Sequence, residues 1–184
     1  MSFNRRRAAS KSTSDDAEVA RSLSPEKLEQ RARNVLLFQL TKGAKSKAQL
    51  AAILEKREIP AEIAQPILDR FEESGLINDQ AFAETVVSSR RNYRGLSKTA
   101  IKRELNQKGV AQEIIENATD SITEEDELAT ARKLASTRFA TMSRLQPEAR
   151  TRRLFGYLQR KGYSSRVIFE AIRFAEVEAV KSEV

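Results

Sequence analysis

An apolar pattern with the spacing i, i+4, i+9, i+13 occurs three times in this chain of 184 residues. It reads Leu50, Leu54, Ile59, Ile63, then Ile101, Leu105, Val110, Ile114, then Leu154, Leu158, Tyr163, Val167, at offsets of 51 and 53 residues. In each copy the i, i+4 pair ends a helix, a short turn follows, and the third apolar residue leads into the next helix. The turns are Arg57-Glu58-Ile59, Lys108-Gly109-Val110 and Lys161-Gly162-Tyr163. A period of about fifty residues marks stacked supersecondary units, each too small to bury a sufficient core alone.

Each copy reads as three helices, with no convincing alternating strand. The spacing predicts helices over 26–41, 47–57 and 61–74 in the first copy, 80–92, 97–108 and 111–120 in the second, and 124–142, 148–161 and 164–180 in the third. The expected organisation is a disordered basic and Ser-rich tail over 1–23, then repeats over 24–79, 80–122 and 123–184. The fold class is all-α: three tandem three-helix repeats stacked into an elongated, curved molecule. Ser24-Pro25 suits a helix start, Ser46 and Ser97 suit N-caps, and Thr123 with Asp126 resembles a capping box. That box also accounts for the acids at 124–127 without a metal. A glycine just past a helix end supplies a left-handed cap, so Glu58, in that place in the first copy, predicts a strained or differently built turn. Pro66 should kink or shorten its helix.

Several chemistries are excluded by residue content. The chain has no Cys and no His, so thiol catalysis, His acid–base catalysis, Cys/His zinc sites and disulfides are out. Its six Gly form neither a P-loop nor a dinucleotide-binding fingerprint. No pair of carboxylates is framed by a Gly-rich or aromatic pocket, and the expectation is a protein that is not an enzyme and needs no cofactor or metal. No apolar run approaches the ~20 residues of a membrane span. The start, Met1-Ser-Phe-Asn-Arg-Arg-Arg, lacks the apolar stretch of a signal peptide, so the expected location is cytoplasmic.

The net charge of +7 directs attention to polyanionic partners once it is located along the chain. Residues 87–109 hold seven Lys/Arg against the single Glu104, whereas 110–127 hold seven acids and no base. Residues 128–184 again carry +7. At about 100° per residue, Leu154, Leu158 and Phe155 share one side of their helix. Arg150, Arg153, Tyr157 and Arg160 gather on the adjoining side, with Lys161 at its edge. In the second copy Lys98, Lys102 and Arg103 lie away from Ile101 and Leu105, and the turn Arg90-Arg91-Asn-Tyr93-Arg94-Gly95 precedes them. Basic helices with an interleaved Tyr suit phosphate contact, which gives salt-sensitive affinity and little sequence information. They suit an acidic protein surface as well. Arg5, Arg6 and Arg7 add charge to the tail.

The stretch Gly75-Leu-Ile-Asn-Asp79-Gln-Ala-Phe82-Ala83, continuing through Ser89-Arg90-Arg91 to Gly95-Leu-Ser-Lys98, Ile101, Glu104-Leu105 and Lys108-Gly109-Val110, resembles the core motif of the RecX regulatory proteins that modulate the RecA recombinase. Arg160-Lys-Gly-Tyr-Ser-Ser-Arg-Val-Ile resembles the family's last repeat. The likeness runs from about Ala32 to Ala179, leaving the tail outside it. Glu58 and Pro66 depart from the pattern in the first repeat. The resemblance implies an all-helical protein that binds in the groove of the RecA–single-stranded DNA filament. It also implies inhibition of the filament's ATPase, strand exchange and repressor cleavage, which makes a negative regulator of recombination and the SOS response. It carries no catalytic residues over. At the family's basic positions stand Arg90, Arg91, Lys98 and Lys108. The expected contact set is Arg90, Arg91, Arg94, Lys98, Lys102, Arg103, Lys108, Arg150, Arg153, Tyr157, Arg160 and Lys161. The expected partners are the RecA filament and single-stranded DNA, with double-stranded DNA open, no membrane, and a monomeric chain. The alternative is a helical DNA-binding transcription regulator, since helix-turn-helix units share the Gly-turned corner. It requires one base-reading helix, whereas the basic residues here spread over two copies.

Overall fold

The computed structural model describes residues 24–182 and is entirely helical over them. The chain divides into two compact units, Met1–Phe82 with Lys108–Val110 and Ala83–Gln107 with Ala111–Val184. In the first unit lie α1 (Pro25–Thr41), α2 (Lys47–Glu55) and α3 (Ala61–Glu73). Helix α4 (Asp79–Ser89) carries the division within it and runs on as a π-helical turn, Arg90–Arg94. The second unit continues with α5 (Lys98–Gln107), α6 (Gln112–Thr119), α7 (Glu124–Ala140), α8 (Pro147–Arg160) and α9 (Ser165–Ser182). The tail expected over 1–23, with Arg5, Arg6 and Arg7, lies outside the described residues.

The repeated pattern is the core. Leu50, Leu54 and Ile59, Ile101, Leu105 and Val110, and Leu154, Leu158 and Tyr163 are all buried, at 5% exposure or less. The fourth residue of each copy, Ile63, Ile114 or Val167, is only half-buried. In the first unit Ala32 and Leu36 of α1 and Ile67, Leu68 and Phe71 of α3 close around the α2 pair. In the second, Ala131 and Ala135 of α7 and Ile168, Ala171, Ile172 and Ala175 of α9 close around the α8 pair. Small residues at these crossings let the helices approach closely.

Helix starts follow their caps. Ser46 and Gln49 form a capping box at α2, each side chain bonded to the other's backbone N–H at 3.2 Å. Thr123 and Asp126 do the same at α7, which places Asp126 below the ordinary carboxylate range through its bonds from Thr123. Ser97 accepts from the Ala100 N–H at 3.1 Å and caps α5. Pro66 does not shorten α3, which continues through it to Glu73 with the proline ring exposed.

Within each unit, the start of one middle helix, α2 or α5, is satisfied by the turn and the first helix of the copy that follows. Helix α4 begins at Asp79, one residue ahead of the expected helix start at 80. In the first unit the Ser46 hydroxyl donates to the Lys108 carbonyl, and the Lys47 N–H donates to Asp79 at 2.8 Å. In the second, the Ser97 N–H donates to the Lys161 carbonyl at 3.0 Å, and the Lys98 N–H to Glu127 at 2.7 Å. One backbone donor at the start of α2 and two at the start of α5 are thereby paired. Burial nevertheless raises the Asp79 carboxyl above its usual range, against the lowering effect of the Lys47 N–H.

This docking explains the departure at Glu58. The turn residues Glu58, Gly109 and Gly162 share the left-handed conformation, with φ of 56°, 74° and 90°. Glu58 and Gly162 end their helices in loops with the same hydrogen bond, Ile59 N–H to the Leu54 carbonyl at 3.2 Å and Tyr163 N–H to the Leu158 carbonyl at 3.3 Å. The first turn is therefore strained and not differently built. A Cβ at Gly162 would stand 2.5 Å from the Ser97 hydroxyl and 2.7 Å from Ala100 Cβ, and one at Gly109 would overlap Ala48. Glu58 is exposed, so only its backbone strain opposes a side chain there. Glu58→Gly should raise stability by about 1 kcal/mol, the scale of relieving one left-handed non-glycine residue. Gly162→Ala should lower it by more than about 1 kcal/mol. Urea unfolding of both variants checks the pair.

Candidate nucleic-acid and partner interface

The second unit carries two adjoining concavities, of about 640 and 700 Å³, that share Arg138, Thr141 and Tyr157. The first is lined by Arg91, Tyr93 and Arg94 of the π-helical turn, Lys133 and Arg138 of α7, and Tyr157 of α8 with Lys161 just beyond it. The second adds Arg152, Arg153 and Arg160 of α8. Neither is lined by an Asp or Glu. Eight cations line this surface without a carboxylate among them, an arrangement that suits an extended anion.

Tyr157 sits where the two concavities meet. The Arg138 guanidinium lies 5.8 Å and the Lys161 ammonium 5.1 Å from its ring centroid. Both cations are thus drawn to a planar platform. Tyr93 is 88% exposed and offers a second one. The π-helical turn that presents Arg91, Tyr93 and Arg94 ends at Gly95, and a Cβ there would meet Leu134 at 2.9 Å. Its position is fixed from the turn after α8: the Lys161 ammonium donates to the Arg94 carbonyl, and the buried Tyr163 hydroxyl donates to the Gly95 carbonyl at 3.0 Å. The sequence pattern predicts α-helix to residue 92, whereas α4 gives way to this wider turn after Ser89. π-Type widening of this kind is frequent at functional sites.

The structure sorts the sequence-derived contact set by what each side chain already holds. Arg91, Arg94, Arg153, Tyr157, Arg160 and Lys161 line the concave surface. Arg90 does not, because its guanidinium clasps Glu104 through two bonds of 2.8 and 2.6 Å, with both side chains about three-quarters buried. That clasp raises the Arg90 pKa further. Lys98 donates its ammonium to the Ile122 carbonyl at 3.1 Å, and Lys102 pairs with Glu116, whose carboxyl is lowered as a result. Arg150 turns away to the loop before its helix, donating to the Ser143 and Leu145 carbonyls at 3.1 Å each and lying 4.4 Å over the Phe139 ring. Arg103 is exposed on α5 outside both concavities, and Lys108 belongs to the first unit.

Lys133, Arg138 and Arg152 line the surface and are absent from the sequence-derived set. The signal for the first two is present in α7. Thr130, Lys133 and Thr137 recur at i, i+3, i+7, with Arg138 beside Thr137 and Thr141 just past the helix end, a polar face free of acids. The acids of that helix are confined to its first turn, where they suit the dipole. Among the described residues no group of three or more Asp or Glu is placed to hold a metal. No described helix is long and apolar enough to cross a membrane.

Comparison with known proteins places this geometry in context. Residues 78–118 match the family model described as RecX, second three-helix domain, and residues 124–172 that of RecX, third three-helix domain. The chain is 41% identical to regulatory protein RecX of Thermobifida fusca, over 92% of this chain and 91% of that one. It is 44% identical to the protein of the same description in Streptomyces coelicolor, over 79% and 78%. Its fold is similar to the crystal structure of RecX from Lactobacillus salivarius, with a TM-score of 0.71 at 21% identity, covering 83% of this chain and 99% of that one. A second crystal structure, of regulatory protein RecX, superposes with a TM-score of 0.69 at 27% identity, covering 79% and 73%.

Burial pushes the Tyr163 hydroxyl up to about 12. The neutral form is favoured by the fold, so its contribution is complete below the ordinary Tyr value of about 10 and is lost as pH rises toward 12. Absorbance titration should show one tyrosine ionising near that upper value, and Tyr163→Phe should remove that step. The substitution leaves the buried Gly95 carbonyl without its donor and should lower stability by about 1–3 kcal/mol in urea unfolding at neutral pH.

Proposed function

The chain belongs to the RecX family of regulatory proteins, and from that membership we propose that it regulates the RecA recombinase by binding in the groove of the RecA–single-stranded DNA filament. Bound there, it restrains ATP hydrolysis, strand exchange and repressor cleavage, and so acts as a negative regulator of homologous recombination and the SOS response in the bacterial cytoplasm. The observation that carries the reading is the continuous basic surface around Tyr157, lined by eight cations and no carboxylate.

Cations of this kind contact phosphates irrespective of sequence, so any stretch of coated DNA is a site. Tyr93 and Tyr157 supply flat faces for unstacked bases, which a filament on single-stranded DNA offers and a closed duplex does not. Double-stranded DNA binds the same cations through phosphate alone. Contacts to DNA and to recombinase subunits made by one monomeric chain reinforce one another through effective concentration. Regulation then requires occupancy and no chemistry, in keeping with a chain that has neither His nor Cys.

ATP hydrolysis by RecA preformed on single-stranded DNA tests the reading. Substoichiometric protein should lower the rate. The Arg152→Glu, Arg153→Glu, Arg160→Glu triple variant should need at least about tenfold more protein for the same effect, with its helical circular dichroism retained. Equal inhibition by wild type and variant contradicts the assignment of this surface. Unchanged hydrolysis together with tight binding to one preferred duplex sequence favours a transcription regulator instead.

A further inference from the structure

Helix α9 turns Ile168, Ala171, Ile172 and Ala175 into the core of the second unit. On its flank Phe169, Arg173, Glu176 and Val180 recur at i, i+4, i+7, i+11, which sets them within about 60° of arc. All four are exposed, Phe169 at 60% and Val180 at 65%. We propose that this stripe is a docking surface for a second copy of this chain, the two α9 helices packing antiparallel about a two-fold axis. The proposal stands on α9 and does not rest on the RecA reading.

The order of the four residues selects the occupant. From either end it runs apolar, charged, charged, apolar, and the two charges are opposite. A two-fold axis midway between Arg173 and Glu176 places Phe169 over Val180 of the second copy and Arg173 over its Glu176, with each contact made twice. An isologous interface requires this self-complementarity. Other registers lose it. Centred on residue 173, Arg173 meets its own copy; centred on residue 177, it meets Lys181. A helix of another protein could match the Phe and Val without carrying the reversed order of charges.

Both charges are left over by the fold. Arg173 has no bonded partner among the described residues, although Glu176 stands one turn away on the same helix. Glu176 accepts from the Thr151 hydroxyl at 3.4 Å, longer than an ordinary O–H···O bond. Elsewhere on α9, Glu170 takes Arg132 at 2.6 Å and Arg166 takes Glu124 at 2.7 Å. Phe174 is capped by the Arg132 guanidinium, 5.1 Å from its ring centroid. Phe169 leans on Phe155 of α8, with ring centroids 5.3 Å apart, which steadies its ring at the surface. No residue of α9 lines the concavities around Tyr157, so the contact does not use the basic surface. One helix pair is small for an interface, so the dimer belongs to the concentrated protein and dilution returns the monomeric chain.

Sedimentation equilibrium of the full chain over a range of concentrations tests the proposal. Wild type should show a reversible monomer–dimer equilibrium. Arg173→Glu sets Glu against Glu176 of the second copy, and Glu176→Arg sets Arg against Arg173, so each alone should weaken association at least about tenfold, the scale of juxtaposed like charges. An equimolar mixture of the two single variants restores both attractions between unlike chains and should dimerise as wild type does. The double variant Arg173→Glu, Glu176→Arg should dimerise as well. These last two arms report on the contact even where one substitution disturbs its own helix. Phe169→Ala, which strips two apolar contacts at once, should also weaken the dimer at least about tenfold. A wild type that stays monomeric at every concentration overturns the proposal and leaves the stripe to a different partner. Single variants that dimerise like wild type, or a mixture and double variant that both stay monomeric, overturn it too.

Discussion

The structure depends on how the N-termini of the first two middle helices, α2 and α5, are satisfied. Ser46 and Lys47, and at equivalent positions Ser97 and Lys98, present backbone and hydroxyl donors that find a turn carbonyl and a carboxylate from the following copy. A buried donor without a partner costs about 1–3 kcal/mol, so these bonds fix register as well as adding stability. They also require the approached turn to be bare. Gly109 and Gly162 lack the Cβ that would strike Ala48 and Ser97, while Glu58, with no described copy before it, keeps a side chain. The same turn at Lys161 reaches the Arg94 carbonyl, and Tyr163 reaches that of Gly95. The contact that sets the register thus also aims the basic turn.

Charge in this protein is divided between holding the fold and facing outward. The acidic stretch 110–127 looks in sequence like an opposing block to the basic stretch 87–109. In the fold its members are largely occupied: Glu116 pairs with Lys102, Glu127 accepts from the Lys98 N–H, Asp126 closes the Thr123 capping box and Glu124 meets Arg166. Glu104 takes Arg90. The cations that line the two concavities lie in the turn at 91–94, on α7 and α8 and at Lys161, and they form one surface because Arg138 and Tyr157 belong to both. A protein that acts by occupying a polyanionic filament needs this separation, since a cation already bonded to a carboxylate adds little to phosphate affinity.

Much of the fold was legible because helical periodicity and cap chemistry are local. The i, i+4, i+9 pattern named three core residues in every copy, and Ser46, Ser97 and the Thr123–Asp126 box marked helix starts that the structure keeps. The contact surface was less legible because pairing is not local. Arg90 lies fourteen residues from Glu104, and only packing decides that it is spent there. Arg150 falls on the same helical face as Arg153 and Arg160, yet its side chain bends back to the Ser143 and Leu145 carbonyls, which face periodicity does not register. Lys133 and Arg138 were missed for the opposite reason. Their helix begins with four acids and reads as balanced overall, although those acids sit about two to four turns away from Lys133 and Arg138.

The most direct test of the account is the salt dependence of this protein's affinity for the RecA–single-stranded DNA filament, measured for wild type and for the variant with Arg152, Arg153 and Arg160 neutralised to Gln. If those side chains contact phosphates of the bound strand, the slope of log affinity against log salt should become shallower by about 2, near 0.7 for each lost contact. An unchanged slope, with affinity retained, would mean that the basic surface around Tyr157 faces solvent in the complex and that the central claim is wrong.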